Sequence, residues 1–238
     1  MHLDTPAIVC AVLPHGEHGA VVRFLTPDDG LVAGYVRGGR SRALRPVLQP
    51  GNGVQVALRA RVDSQLAAAT VELTAARAAL ATTATELAVL AWVTALTATA
   101  LPENERHPHL FTVLAAIVDA VAAGASPQTL GEAVVRHELL LLAELGFGLD
   151  LSACALTGAI DDLAFVSPRT GRAVGQQAAE PYRDRLLPLP AFLVGPAVAD
   201  GAAIHAGLRL SGHFLERHVL MGHGDLVTVR RRLADRWF

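Results

Sequence analysis

Lysine is absent from the chain, and all twenty basic residues are arginine, a bias that we attribute to genome composition and not to function. Cysteine is nearly absent as well. Cys10 and Cys154 lie far apart, so a disulfide framework is not expected and a reducing compartment fits. No apolar run reaches the about 18 uncharged residues of a membrane span, and Asp4 stands where a leader peptide would be positively charged. The sequence predicts a cytoplasmic protein without a membrane partner.

The formal net charge of -2 conceals an uneven distribution. Residues 1–80 contain eight arginines and six acids, whereas residues 81–238 contain twelve arginines and sixteen acids. Between Arg23 and Arg61, seven arginines are accompanied only by Asp28 and Asp29. A charge asymmetry of this kind indicates a polyanionic partner for the first part of the chain.

Short apolar runs separated by turn residues occupy the first part of the chain. Residues 7–13, 20–25, 31–36 and 68–73 each have the composition of a strand. Residues 54–62 alternate between apolar and polar positions, which is the period-two pattern of a half-buried antiparallel strand. Strands this short, with turn signals between them, predict a small five-stranded barrel.

The pattern changes to helix after about residue 80. Helices are predicted over residues 85–101, 109–123 and 126–145, and again around residues 213–221 and 227–237. A hairpin is predicted from residues 163–167 and 172–174, around a Pro-Arg-Thr-Gly turn. We therefore expect an α+β protein with a barrel domain at 1–80 and a helical domain at 81–238, the latter with a hairpin insert around 154–178.

A cluster of four arginines follows the third predicted strand, at Arg37, Arg40, Arg42 and Arg45. Gly38 and Gly39 within it would let the backbone approach a phosphate, and guanidinium groups bind phosphate oxygens in a bidentate manner. A solvated surface is the alternative, but no acid interrupts the cluster, which favours phosphate binding. The predicted nucleic-acid-binding residues are Arg23, Arg37, Arg40, Arg42, Arg45, Arg59 and Arg61.

Catalysis has no comparable candidate. His213, His218 and His223 are spaced by five residues, which places them about 140° apart around a helix, so they share no face. The carboxylates of Glu103 and Glu105 are explained by the dipole of the helix that follows them. The Gly-Gly-Arg-Ser sequence at 38–41 lacks the lysine and the glycine spacing of a nucleotide-hydrolase loop. We expect neither enzymatic activity nor a cofactor.

Several longer motifs occur in a distinctive order. Residues 16–26 are followed by Gly30 and by the segment 36–40, and further motifs follow at 101–103, 136–147 and 149–151, with Cys154 and Gly158. Together they resemble the bacterial RecO DNA repair and recombination proteins. Residues 166–174 and 181–190 are similar to the alphaproteobacterial branch of that family. The resemblance spans nearly the whole chain.

The resemblance implies an oligonucleotide-binding (OB) fold followed by a helical domain with an embedded knuckle. It also implies a nucleoid-associated protein that binds single- and double-stranded DNA, anneals complementary strands, contacts the acidic tail of single-stranded DNA-binding protein, and works with RecR to load RecA. Zinc is not implied here. Cys154 is the one remaining knuckle cysteine, and Thr157, Gly175 and Ala178 stand where further zinc ligands would be needed.

Two further hypotheses concern the mode of binding. Phe24 and Tyr35 are the only aromatic residues before Trp92, so we expect backbone electrostatics to dominate DNA binding, without base readout. The apolar helical part should offer a groove for the acidic tail, unless its arginines merely solvate helix surfaces. The predicted partner contacts are Arg136, Arg217, Arg230, Arg231 and Arg232. A protein-only adaptor and an enzyme of unknown type remain the alternative classes.

Overall fold

The first five strands close into a barrel in the computed structural model, which describes residues 2–62 and 65–237. The strands are β1 (His2–His15), β2 (Gly19–Thr26), β3 (Gly30–Val36), β4 (Gly53–Arg59) and β5 (Ala67–Ala75). Around the barrel their order is β1-β2-β3-β5-β4, and only the β3–β5 pair is parallel. The predicted five-stranded OB fold is confirmed.

Alternation along the strands builds the barrel core. Val54, Val56 and Leu58 point inward and are buried, as their period-two pattern predicted. The predicted end of this strand at residue 62 is wrong, because β4 stops at Arg59. Arg59 is paired with Ala68 of β5, so the chain has to leave the sheet there to form the turn into β5.

β1 is longer than the predicted run of residues 7–13 because it belongs to two strand pairs. Its first half pairs with β4 and its second half with β2. The register shifts between Val9 and Ala11, and an irregularity of this kind bends a strand and increases its twist. One continuous strand can therefore follow the curve of the barrel and close it.

Two helices belong to the same compact unit as the barrel, which extends over residues 1–125. They are α1 (Ala84–Ala100) and α2 (Pro108–Ala122), preceded by a short 3₁₀ turn at Ala78–Leu80. α1 begins at a capping box formed by Thr83 and Glu86, and it packs on β1 and β2. Burial raises the pKa of the Cys10 thiol, on β1, to about 12. The predicted domain boundary near residue 80 marks the change from strand to helix and stays a prediction.

The second compact unit comprises residues 126–238. Its helices are α3 (Pro127–Glu144), α4 (Gln176–Ala179), α5 (Gly201–His218) and α6 (Gly224–Ala234). The predicted hairpin is present as β6 (Leu163–Val166) and β7 (Ala173–Gly175), and β8 (Leu187–Pro188) adds a third strand. Short 3₁₀ turns lie at Glu180–Arg185, Ala191–Leu193 and Asp235–Trp237. In the described part of the chain, no helix has the length and apolar character needed to cross a membrane.

The predicted start of α5 near residue 213 is wrong, because the helix begins at Gly201. Asp200 caps it by accepting a hydrogen bond from the backbone N–H of Ala203 at 2.7 Å. Glycines at 207 and 212 weaken the helical signal in the sequence, but both serve close packing. A Cβ on Gly207 would press on Val135 and Phe192, and one on Gly212 would collide with the Arg230 guanidinium.

A buried ion pair joins three helices of the second unit. Arg230 of α6 donates to both carboxylate oxygens of Glu138 on α3, at 3.0 and 2.7 Å. The guanidinium also donates to the Leu208 carbonyl of α5, and Ser211 of α5 donates to Glu138. Glu138 is 0% and Arg230 6% exposed, so the charges are paired away from water. Breaking one partner would leave the other charge buried and uncompensated.

We predict that Arg230→Met alone destabilises the protein by about 3–5 kcal/mol, because Glu138 would lose its counter-charge. The double variant Glu138→Leu/Arg230→Met should recover much of that loss, since neither charge remains. Urea denaturation followed by circular dichroism measures both values. Arg231→Met, at an exposed neighbouring position, serves as the control and should change stability by at most about 0.5 kcal/mol. If the loss of stability in the double variant equals the sum of the losses in Arg230→Met and Glu138→Leu measured separately, the two residues are not coupled and the prediction is wrong.

Candidate nucleic-acid interface

The long connection between β3 and β4 presents most of the predicted arginines. Arg37, Arg40, Arg42 and Arg45 lie on it, and all four are exposed. Its backbone is ordered by local hydrogen bonds: the Ser41 hydroxyl accepts from the N–H of Leu44 at 3.2 Å, and the Ser41 carbonyl accepts from the N–H of Arg45 at 3.0 Å. Arg42 and Arg45 therefore lie on a hydrogen-bonded turn that begins at Ser41, and Arg37 and Arg40 precede it.

Gly38 and Gly39 begin this connection, and each has a distinct role. Gly38 has a φ of 68°, in the left-handed region that favours glycine. Gly39 lies so close to Ala20 of β2 that an added Cβ would stand 2.9 Å from the Ala20 Cβ. The pair turns the chain out of β3, and the N–H of Arg40 then donates to the carbonyl of His18 in the β1–β2 turn at 3.1 Å.

The buried side chain of Asn52 fastens the far end of the connection. Its amide nitrogen donates to the carbonyls of Pro46 at 2.8 Å and Val47 at 3.1 Å, and its side-chain oxygen accepts from the N–H of Ala78 at 3.0 Å. Leu48, four residues earlier, is inserted into the barrel core. The connection is held at both ends, so its arginines are positioned before any ligand arrives.

Arg40 joins the connection to the neighbouring β1–β2 turn. Its guanidinium donates to the Glu17 carbonyl at 3.1 Å and the Gly16 carbonyl at 3.4 Å. Beside it lies a groove of about 350 Å³, lined by Arg40 and Arg45 together with Gly39 and two apolar residues of β1. Arg40 therefore has a structural role in addition to its predicted one.

Arg59 and Arg61 extend the positive surface away from the connection. Arg59 is the last residue of β4, on the outer face of the barrel, and Arg61 follows in the described part of the β4–β5 turn. Both are exposed. The sequence interpretation that they face outward is correct for Arg59, while Arg61 lies beyond the strand to which it was assigned.

Arg23 differs from the other predicted arginines. Its guanidinium donates to the Glu103 carboxylate at 2.6 and 3.3 Å and to the Ala98 carbonyl at the end of α1. Its side chain is only 27% exposed. We therefore withdraw Arg23 from the candidate interface, because its charge is already paired. Sequence reasoning missed the role of Glu103 because the two residues are 80 positions apart.

The predicted partner contacts in the second unit occupy different environments. Arg230 is buried in the ion pair with Glu138 and is therefore not a surface contact. Arg136 donates to Glu132 and to the Phe192 carbonyl and is half-exposed. Arg217 is exposed and donates to the Pro168 carbonyl at 3.1 Å. Arg231 and Arg232 are exposed on α6.

An apolar pocket in the second unit was not anticipated from the sequence. It has a volume of about 440 Å³ and lies among the segments 155–156, 167–174 and 182–186. Leu156 and Tyr182 contribute apolar surface to it, and Arg169 and Arg185 add positive charge. Three separate segments form the pocket, so no continuous motif marks it.

Cys154, at the knuckle position, lies next to this pocket and is buried. Its sulfur accepts a hydrogen bond from the N–H of Gly175 at 3.3 Å, and this bond is the main reason that the pKa of the thiol is lowered to about 7. Among the described residues, no group of three or more His, Cys, Asp and Glu side chains could hold a metal ion.

Comparison with known proteins gives this architecture a family. The closed barrel, followed along the chain by helices and a small inserted sheet, places the protein in the class of OB-fold proteins with a C-terminal helical region. The family models "Recombination protein O N terminal" and "Recombination protein O C terminal" match residues 1–77 and 81–226. The chain belongs to the RecO family of DNA repair proteins.

Curated relatives agree with these models. The chain is 47% identical over 235 residues to "DNA repair protein RecO" of Rhodospirillum rubrum, covering 96% of this chain and 93% of the relative. A protein of the same name from Rhodospirillum centenum is 46% identical over 241 residues, covering 100% and 95%. That of Caulobacter vibrioides is 46% identical over 222 residues, covering 92% and 90%. The family resemblance predicted from the motifs is confirmed, and with it a role in DNA repair and recombination.

Proposed function

We propose that this chain is a non-catalytic recombination mediator that binds the phosphate backbone of single- and double-stranded DNA through the arginine surface. That surface is defined by Arg37, Arg40, Arg42, Arg45, Arg59 and Arg61. In this proposal the protein acts in the nucleoid, anneals complementary strands, and works with RecR to load RecA onto DNA coated by single-stranded DNA-binding protein.

The observation that carries the proposal is a set of exposed arginines on a stretch of chain that contains no acid, although the exposed Glu17 lies on the neighbouring turn beside Arg40. No aspartate or glutamate occurs between Gly30 and Val62, while all six arginines of the surface are exposed. Surface arginines of a solvated face are commonly interspersed with acids, as Arg106 is paired with Asp28 here. Guanidinium groups on an anchored backbone match the regular phosphates of DNA, and the anchoring reduces the entropy lost on binding.

Binding through phosphates predicts a specific salt dependence. If about four arginines contact phosphates at once, the slope of log affinity against log salt should be about -3 for single strands and nearer -4 for duplex, through counterion release. Replacing Arg42 and Arg45 together by alanine should weaken all DNA sequences alike and make the slope shallower by up to about 2. Fluorescence anisotropy with labelled oligonucleotides at several salt concentrations measures these values.

The matched control is Arg231→Ala/Arg232→Ala, which removes the same charge from exposed positions in the second unit. It should leave the slope unchanged. A folded Arg42/Arg45 variant with the affinity and slope of the wild type would show that the arginine surface is only solvated. Wild-type protein that binds no DNA at low salt would favour the protein-only adaptor, in which the arginines contact acidic tails.

For the protein partner, we propose that the apolar pocket of the second unit receives the tail of single-stranded DNA-binding protein. An acidic, hydrophobic-ended peptide can place its apolar end against Leu156 and Tyr182 and its carboxylates near Arg169 and Arg185. This pocket combines apolar area with positive charge. It supports the proposal better than Arg136 or Arg230, whose guanidinium groups already have carboxylate partners.

We predict that Arg169→Glu/Arg185→Glu weakens binding of such a labelled peptide at least about tenfold, because like charges would face its carboxylates. DNA affinity should change much less. Fluorescence anisotropy with the full chain measures both, and Arg217→Glu/Arg232→Glu provides a control with the same change of charge at other exposed arginines. If the peptide still binds the Arg169/Arg185 variant but no longer binds the Arg217/Arg232 variant, the pocket is not its binding site. The site would then lie on the surfaces of α5 and α6.

A further inference from the structure

Strand register brings an aromatic side chain to the outer face of the barrel. Tyr35 of β3 lies opposite Val21 of β2 on one side and Ala68 of β5 on the other. Val21 is paired in turn with Leu13 of β1, and Ala68 with Arg59 of β4. Because side chains alternate across a sheet, these paired residues share the outer face. We call Leu13, Val21, Tyr35 and Ala68 the Tyr35 strip.

The strip remains open to solvent. Leu13 is 53% exposed, Ala68 is exposed, and Val21 and Tyr35 are partly exposed. Farther along β2 and β3, by contrast, the outward-facing Leu25 and Leu31 are fully buried on the side where α1 packs. The outer face is thus divided into a covered part and an apolar part that has no cover within the described residues of the first unit.

The ring of Tyr35 is held in place before any ligand binds. It lies directly over Gly19, where a Cβ would collide with the ring. The ring of His15 approaches it edge-on, with centroids 5.6 Å apart and an interplanar angle of 75°. A ring fixed in this way loses little conformational freedom when another flat group packs against it.

Positive charge adjoins the strip. Arg59 lies beyond Ala68 in the same row, and Arg37 follows Tyr35 by two residues, where the arginine-bearing connection begins. A strand of DNA whose phosphates lie on these arginines would bring its bases toward an apolar, aromatic surface. Only unpaired bases expose flat faces there, because those of a duplex are stacked inside the helix.

We propose that the Tyr35 strip binds an unpaired nucleobase by stacking on Tyr35, which gives the protein a preference for single-stranded over double-stranded DNA. The inference rests on the proposed DNA binding and adds a strand preference to it. It also modifies the expectation drawn from the scarcity of aromatics: Phe24 is buried in the barrel core, but Tyr35 is not. Stacking requires no particular base, so sequence preference remains slight.

The first test uses wild-type protein and three ligands of equal phosphate number: a single strand, the same strand with abasic sites, and a duplex. Removal of the bases should weaken binding about tenfold and leave the salt slope unchanged, because stacking and not a phosphate contact is lost. Equal affinity for the normal and abasic strands, with salt-dependent binding of both, would overturn the strip and leave the proposed DNA binding intact. Absence of binding to all three ligands would overturn both.

The second test replaces the ring. Tyr35→Ala should weaken single-strand binding about tenfold and change duplex binding by less than about twofold, whereas Tyr35→Trp should keep the single-strand affinity. Phe147→Ala, which removes an aromatic ring that is 41% exposed in the second unit, is the matched control and should bind DNA as the wild type does. An equal loss for single strand and duplex, or no loss at all in a folded Tyr35→Ala protein, would contradict the proposal. The abasic comparison uses wild-type protein and so tests the strip even if Tyr35→Ala does not fold.

Discussion

The buried amide of Asn52 is the constraint on which the arginine surface depends. Through side chain and backbone it links the end of the β3–β4 connection to Val9 of β1 and to Ala78 beyond β5. These bonds satisfy polar groups that burial would otherwise leave unpaired, so the arrangement is costly to break. A connection of this length would otherwise sample many conformations, and ordering it on DNA would cost binding energy. Because Asn52 orders the connection when the protein folds, this conformational entropy is lost on folding and not on DNA binding. The arginines are then already positioned for phosphates.

Arginine has two different roles in this chain, and the degree of burial of the side chain distinguishes the two roles. Arg23 is paired with Glu103 beside α1, and Arg230 is paired with Glu138 between helices of the second unit. Both ion pairs join parts of the chain that are distant in sequence. Arg42, on the connection, is exposed instead. The proposed division of the barrel surface follows: one side is committed to α1, and the other presents positive charge beside the Tyr35 strip.

Much of the architecture could be predicted from local signals. Alternation and turn residues predicted the five strands, and proline and glycine predicted the ends of the first three helices. The misses have physical causes. The Arg23–Glu103 pair joins residues 80 positions apart, and the start of α5 was hidden by glycines that serve close packing. The exposure of Tyr35 depends on pairing with two other strands, which composition cannot provide. The role of the exposed arginines in DNA binding remains a prediction.

The central claim is that the arginine surface, and not arginine in general, contacts DNA. Because the chain has no lysine, arginine side-chain N–H resonances report every basic side chain other than the histidines. Nuclear magnetic resonance spectra recorded while a short single strand is added would test the claim most directly. We expect the shifts to be concentrated on the six arginines of that surface, while Arg23 and Arg230 are unchanged. Shifts confined to arginines of the second unit, or an absence of shifts at saturating DNA, would contradict the claim.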